Sequence, residues 1–264
     1  MVENKRAVTL SDIVLNEGSS YLRGVRWVWI DLDDTLIDFR ANSLAALRIT
    51  YEQCSLERYF RSCDEWIECY MRHNHALWDR YNRAEITQGH LRLHRFLDPI
   101  RERTPIGEEE FAAEARHMDV LYLSILARQK CMVPGAMELV EYLRAHAYNI
   151  GILSNGFSDV QYRKLHTVGL DALVDTVVLS DDIGVNKPDP RIFIHAMERV
   201  GDVCPDSHLM IGDNPSTDID GARGAGWRSV LFDRSAGRLS ISQDGIITPS
   251  LREMIPLLSR GDNA

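Results

Sequence analysis

The chain has few cysteines, no long apolar run and fewer cationic than anionic side chains. Each shortage excludes something. Its five cysteines (Cys54, Cys63, Cys69, Cys131, Cys204) are odd in number and form no C-x-x-C pair. That argues against a disulfide framework or a zinc site, and for free thiols in a reducing compartment. No apolar stretch approaches the ~20 residues that a membrane span requires. The first 20 residues contain acids and lack the apolar centre and small-residue cleavage site of a signal peptide. A cytoplasmic address, with no membrane partner, is the expectation. Lys plus Arg number 30 against 39 for Asp plus Glu, a net charge of −9. Such a chain is poorly suited to nucleic-acid polymers, whose affinity comes from neutralised phosphates. A small phosphate can still be held where positive groups are locally concentrated. The 264 residues, 45% hydrophobic and 26% charged, suffice for one large core or two modest ones.

The most informative stretch runs from Trp27 to Asp38, Trp-Val-Trp-Ile-Asp-Leu-Asp-Asp-Thr-Leu-Ile-Asp. Its apolar, β-branched and aromatic start predicts a buried strand, which places Asp31 and Asp33 at the strand's carboxyl end. In open α/β sheets ligands bind at that edge. The expected arrangement turns the Asp31 carboxylate and the Asp33 carbonyl toward one cavity, with the Asp33 side chain reaching over it. Carboxylates held together repel unless a cation or a shared proton relieves them. A hard ion is therefore expected, and oxygen ligands beside a phosphate suit Mg²⁺. Acids behind a strand also serve as plain turn and cap residues. An EF-hand loop is excluded, because Leu36 and Asn42 stand where its Gly and Glu are required.

From about residue 42 to 126 the pattern is helical throughout: Leu44, Leu47 and Tyr51, then Trp66, Tyr70 and Leu77, then Phe111, Ala115, Met118 and Tyr122 recur at helical spacing. Breaks are expected at Ser62-Cys63-Asp64, at Gln88-Gly89 and between Thr104 and Gly107. His90 and His94 share a helix face but lack the Glu of a zincin motif, so packing is the expected role. Trp66, Trp78 and Tyr81 are expected to pack helices rather than stack on bases. Beyond Val133 strand and helix alternate, with strands at 149–153, 176–180, 208–211 and 229–233 and a terminal helix from Thr248 to Leu258. Repeated units of this kind predict a doubly wound, Rossmann-like parallel sheet. The glycines Gly221, Gly224 and Gly226 follow no strand directly and have the wrong order for a dinucleotide motif.

Each predicted strand end carries a group useful for phosphoryl transfer. Asp31 offers a nucleophile and metal ligand, Asp33 a general acid/base, and Ser154 a hydroxyl near a helix start. Lys187 offers a positive charge in a proline-bracketed loop, and Asp213 and Asp218 offer further carboxylates. Singly these are a helix cap, a loop charge and turn residues; together their order and placement agree.

The set Asp31-x-Asp33-x-Thr35-Leu36, Ser154-Asn155-Gly156, Lys187-Pro188 and Gly212-Asp213-x₄-Asp218 resembles the four motifs of the haloacid dehalogenase-like (HAD) hydrolases. The resemblance spans roughly residues 28–258. It implies an α/β core of residues 21–40 and 127–264, a helical C1-type cap of residues 41–126, and an amino-terminal extension of residues 1–20 with no assigned role. It further implies a Mg²⁺-dependent phosphomonoesterase working through an aspartyl phosphate on Asp31, with Asp33 as acid and then base. Mg²⁺ would be bound by Asp31, the Asp33 carbonyl and Asp213, supported by Asp218, and the phosphoryl group held by Ser154, Asn155 and Lys187. Within the family, Leu77-Trp78-Asp79-x-Tyr81, Ile86-Thr87 and Leu93-x-Arg95-Phe96 resemble the pyrimidine 5′-nucleotidase branch, which points to a nucleoside 5′-monophosphate. A sugar-phosphate or phosphoglycolate phosphatase is the alternative, a phosphomutase a further one. A 2-haloacid dehalogenase normally lacks the second acid, and Asp33 argues against it. Fold alone does not choose among these.

Overall fold

The computed structural model describes residues 10–261. The chain opens with helix α1 (Leu10–Tyr21) and strand β1 (Trp27–Ile30), then four helices: α2 (Phe39–Gln53), α3 (Cys63–Asn82), α4 (Gln88–Arg101) and α5 (Glu108–Leu126). Helix α6 (Ala136–Ala145), β2 (Asn149–Ser154), α7 (Ser158–Val168), β3 (Thr176–Leu179), the short α8 (Ser180–Ile183) and α9 (Pro190–Val200) follow. The chain ends with β4 (His208–Gly212), α10 (Asp220–Gly224), β5 (Arg228–Phe232), β6 (Ser240–Ser242), β7 (Gly245–Thr248) and α11 (Met254–Gly261). Two compact units result. One comprises the described parts of Met1–Ile37, Met132–Ser154 and Ala172–Ala264; the other comprises Asp38–Cys131 and Asn155–Asp171.

The first unit is a seven-stranded sheet in the order β3-β2-β1-β4-β5-β7-β6, parallel except for the β6–β7 pair. Strand β1 lies inside it, with Trp27 to Ile30 in register with Asn149 to Ile152 on one side and His208 to Ile211 on the other. A strand buried on both faces needs apolar residues at consecutive positions, and Val28, Trp29 and Ile30 are fully buried. Trp29 also explains its neighbour. A Cβ on Gly151, its partner on β2, would lie 2.3 Å from the indole ring, so only glycine leaves the ring room. The indole packs with Phe193, Met210 and Trp227 and donates from Nε1 to Nδ1 of fully buried His208 at 2.9 Å. His208 Nε2 in turn donates to the Asp202 carbonyl at 2.8 Å, so the imidazole is held neutral as the Nε2–H tautomer.

Helix α1, in a stretch that carried no structural expectation beyond a polar arm, is tied to the sheet unit. Ser19 Oγ donates to the Leu257 carbonyl at 2.8 Å, and the Ser229 amide donates to the Tyr21 hydroxyl at 3.0 Å. Residues 1–9 lie outside the described part. The carboxyl-terminal segment also differs from expectation. Thr248 ends strand β7 instead of opening a helix, and α11 begins only at Met254 after a 3₁₀ turn. The β6–β7 hairpin was not anticipated, since Ser240-Ile241-Ser242 is too short and polar to signal a strand.

The second unit is helical. Its boundaries follow from caps: Asp38, Ser62 and Thr87 accept from the third backbone amide beyond them to start α2, α3 and α4. Three acids in the first turn of α5 suit its amino-terminal dipole. Trp66 and Tyr70 are fully buried, and Trp78 stacks on Phe157 at 5.1 Å, in keeping with packing roles. Phe157 and Val160 belong to this aromatic core, which is why α7 groups with the helical unit although its sequence position suggested the sheet unit. A buried ion pair crosses the core, Arg95 Nε donating to Asp119 Oδ1 at 2.9 Å, with the guanidinium 5.2 Å from the Tyr122 ring centroid. His90 and His94 stack on each other, and His94 Nδ1 meets Asp98 Oδ1 at 2.9 Å.

Burial pushes the His208 imidazole below its ordinary value, against the weaker opposing pull of the Asp202 carbonyl. The unfolded chain therefore takes up this proton first, and the stability that neutral His208 contributes is lost as pH falls below about 6.5. In urea unfolding the His208→Gln variant should be less stable than wild type at pH 8, and the gap should narrow toward pH 5.5. A gap that is unchanged or widens would contradict the neutral, buried assignment.

Candidate active site

The order of the sheet reverses at β1: the chain runs outward through β2 and β3, then returns to β4 on the other side. Ligands of doubly wound sheets bind beyond the carboxyl ends of the strands at such a reversal. Asp31 immediately follows β1, and Asp213 immediately follows β4. The Asp31 amide donates to the Ile211 carbonyl at 2.9 Å, extending the β1–β4 ladder by one bond and fixing where the carboxylate begins. After it the backbone folds back. The amides of Leu36 and Ile37 both donate to the Leu32 carbonyl, and Asp34 takes φ +63°. Asp33 lies in this turn, half-buried and bridged through its backbone to Ile37.

Lys187 is the centre of the site. Its side chain is 2% exposed, and Nζ donates to Asp31 Oδ1 at 2.6 Å, Asp218 Oδ1 at 2.6 Å and the Leu153 carbonyl at 2.7 Å. A solvated loop lysine would do none of this. Both Asp218 oxygens carry structural bonds, because the second accepts from the Asn214 amide at 3.0 Å. Gly212 makes that geometry feasible: a Cβ there would lie 2.3 Å from Asp218 Oδ2. Thr35, to which the sequence reading gave no separate role, donates from Oγ1 to Asp213 Oδ1 at 3.1 Å and is fully buried. Its apolar neighbours Leu36 and Ile37 hide its polar task from periodicity.

Ser154 is the last residue of β2, buried and in register with Leu179. It does not cap the next helix, whose N-cap is Phe157 without a side-chain bond. Asn155 belongs to the helical unit, where its amide donates to Asn82 Oδ1 at 3.1 Å. The structure thus brings Asp31, Asp213, Asp218 and Lys187 together within the sheet unit.

The electrostatics call for a cation. Ligand oxygens of Asp31, Asp213 and Asp218 lie within 4.8 Å of one another. Three carboxylates against one ammonium leave two negative charges uncompensated. Burial pushes the Asp31 carboxyl well above its ordinary value, with Lys187 opposing and Asp218 and Asp213 adding to the rise. Burial pushes Asp213 up to about 7, reinforced by Asp218 and Asp34 and opposed by the Thr35 hydrogen bond. Burial works against the Lys187 charge, yet Asp218 and Asp31 outweigh it and hold the ammonium protonated. An all-oxygen donor set with two excess charges fits a hard divalent ion.

This fold is that of the HAD-like hydrolases. The profile of that family, described as a haloacid dehalogenase-like hydrolase, matches residues 25–226, and the chain belongs to it. Phosphoserine phosphatase of Thermus thermophilus is 32% identical over 222 residues, 78% of this chain and 87% of that one. Pyrimidine 5′-nucleotidase YjjG of Escherichia coli is 31% identical over 200 residues, 76% of this chain and 82% of that one. The crystal structure of the HAD hydrolase YfnB of Bacillus subtilis, determined with magnesium bound, is similar at a TM-score of 0.76 and 25% identity. It covers 89% of this chain and 99% of that one.

Replacing Lys187 by Gln removes the positive charge buried among these carboxylates and should destabilise the metal-free protein by about 3 kcal/mol at pH 8. At pH 5 the loss should be smaller, because Asp213 and Asp31 can take up protons in its place. Urea midpoints at the two pH values test this; equal losses would mean that Lys187 does not balance these carboxylates.

Proposed function

We propose that the protein is a Mg²⁺-dependent phosphomonoesterase acting on a small soluble phosphate ester through an aspartyl phosphate. The observation that carries this reading is the buried Lys187 ammonium bonded to Asp31 and Asp218 beside Asp213, at the reversal point of the sheet. Asp31 attacks phosphorus with the oxygen that Lys187 leaves unbonded, while Lys187 orients the other. Asp33, on the turn two residues on, delivers a proton to the departing ester oxygen. It then takes a proton from the water that attacks the acyl phosphate, so that phosphate leaves and Asp31 is regenerated. Charge in the transition state is spread over the three peripheral oxygens, so fixed positive and hydrogen-bonding groups supply most of the catalysis. Lys187, the Ser154 hydroxyl and the Asn155 backbone serve that purpose.

Asp31, the Asp33 carbonyl and Asp213 would hold Mg²⁺, with Thr35 orienting Asp213 and Asp218 anchoring Lys187. Bound there, the ion would offset the excess negative charge and favour the ionised form of Asp31 against its burial. The helical unit departs from the chain just after the β1 turn and again after β2. We assign it the cap's role of selecting the leaving group, since every phosphomonoester presents the same phosphoryl group to the strand ends. The cap motifs around Trp78 and Phe96, together with YjjG as a relative, favour a pyrimidine nucleoside 5′-monophosphate. The similarity to a phosphoserine phosphatase supports a second reading, a small phosphorylated hydroxy acid.

A phosphate-release screen of UMP, CMP, phosphoserine, glyceraldehyde 3-phosphate and phosphoglycolate, with and without Mg²⁺, decides among these. Turnover should vanish in excess EDTA and return with Mg²⁺; full activity after metal stripping would instead point to metal-independent chemistry on carbon. Asp31→Asn should lower kcat by roughly a thousandfold or more while far-ultraviolet circular dichroism is retained.

Asp33→Asn should slow the phosphorylation step far more for UMP than for p-nitrophenyl phosphate, whose leaving oxygen needs no proton. Rapid-quench measurement of that step for both substrates is the check. Equal losses would remove Asp33 from the acid's role.

A further inference from the structure

The helical unit contains a second cluster of metal-capable groups, of different chemistry. Cys69 and His73 are one turn apart on the same face of α3, and Glu102 caps the carboxyl end of α4. Ligand atoms of the three lie within 4.8 Å of one another. His73 Nε2 donates to Glu102 Oε2 at 2.9 Å. Arg72 holds the place of a cation here. Its Nη2 is 2.7 and 2.6 Å from the two Glu102 oxygens and 3.4 Å from Cys69 Sγ. The sulfur is buried, and its other bond, to the Pro99 carbonyl, is long at 4.0 Å. A buried sulfur, an imidazole and an ionised carboxylate thus converge from two helices on a guanidinium.

We propose that Cys69, His73 and Glu102 form a binding site for a zinc-type divalent ion, which clamps the end of α4 onto α3. Thiolate, imidazole and carboxylate are the usual zinc donors, and this mixture with a sulfur is unsuited to Mg²⁺ or Ca²⁺. Tetrahedral coordination needs ligand atoms about 3.5 Å apart, so the His73–Glu102 pair, at 2.9 Å, must open slightly in a small readjustment of the cluster. Glu102 can supply it, since it is half-exposed at a helix end while Cys69 and His73 are fixed within a helical turn. Coordination releases the Cys69 thiol proton to solvent, and His73 binds through Nε2 with its ring proton moved to Nδ1, which breaks its hydrogen bond to Glu102. Thiolate and carboxylate together neutralise the two positive charges. Arg72, largely exposed, then swings toward water. With His73 and Glu102 both partly exposed, the fourth position faces solvent and takes a water molecule.

The test titrates Co²⁺ into the full chain, freed of metal by dialysis against chelator and then saturated with Mg²⁺ to fill the acidic site. A thiolate-to-cobalt charge-transfer band at one ion per chain is expected, because the acidic site has no sulfur to produce one. Zn²⁺ should displace Co²⁺ and raise the Tm, on the order of 5 °C at a hundredfold excess over its Kd. Cys69→Ser should abolish the band, and Cys131→Ser should leave it. His73→Ala and Glu102→Gln change partly exposed residues that folding tolerates, and each should weaken Co²⁺ binding by about a hundredfold. Arg72→Met should tighten binding by removing the competing cation. No band in the wild-type protein at millimolar Co²⁺, a band that survives Cys69→Ser, or unchanged affinity in both the His73 and Glu102 variants would overturn the proposal.

Discussion

A lysine ammonium buried among two carboxylates and a carbonyl is the constraint on which the sheet unit's site depends. Removing a charge from water is expensive unless its partners are close and well oriented. Here the partners come from three separate places in the sequence: Asp31 after β1, Leu153 in β2, and Asp218 beyond β4. Satisfying one ammonium therefore requires the central strands to be in register and the turns at their ends to be closed. The same bonds leave the ammonium aimed at Asp31 instead of at solvent.

The arrangement propagates outward through residues with no catalytic part. Gly212 has no side chain because the Asp218 carboxylate fills that space, and Gly151 has none because Trp29 does. Asn214 caps the turn that carries Asp218, accepting from the amides of Ser216 and Thr217. The Trp29–His208–Asp202 chain of hydrogen bonds satisfies the Trp29 and His208 ring nitrogens, which would otherwise be buried unpaired. The helical unit solves a similar problem by itself, with Arg95 and Asp119 paired inside an aromatic core.

Much of the sheet unit was legible in the sequence because parallel strands buried on both faces must be nearly continuous apolar runs. Trp27–Ile30, Asn149–Ser154, Thr176–Leu179, His208–Gly212 and Arg228–Phe232 all read that way. The edge hairpin did not, since β6 is short, polar and half exposed. Helix α1 was equally illegible: its role depends on Ser19 and Tyr21 meeting residues more than two hundred positions away. Helix α7 was legible as a helix but not as a member of the helical unit, because that membership rests on Phe157 stacking against Trp78.

The sequence by itself determined, to within a residue, where the strands end, and with them the acids and the serine from which a phosphoryl-transfer site can be built; Lys187 lies further on, beyond the short α8. Local periodicity suffices for that, because a strand's end is set by its own apolar run and the turn residues behind it. It also determined the breaks that divide the helical block, near Ser62, near Gln88 and at Gly107. Only the tertiary structure decided that Lys187 is buried and bonded to Asp31 and Asp218, that Thr35 holds Asp213, and that Cys69 and His73 meet Glu102. Those are distances between residues remote in the chain, and they arise from packing, which leaves no local signature in residue spacing.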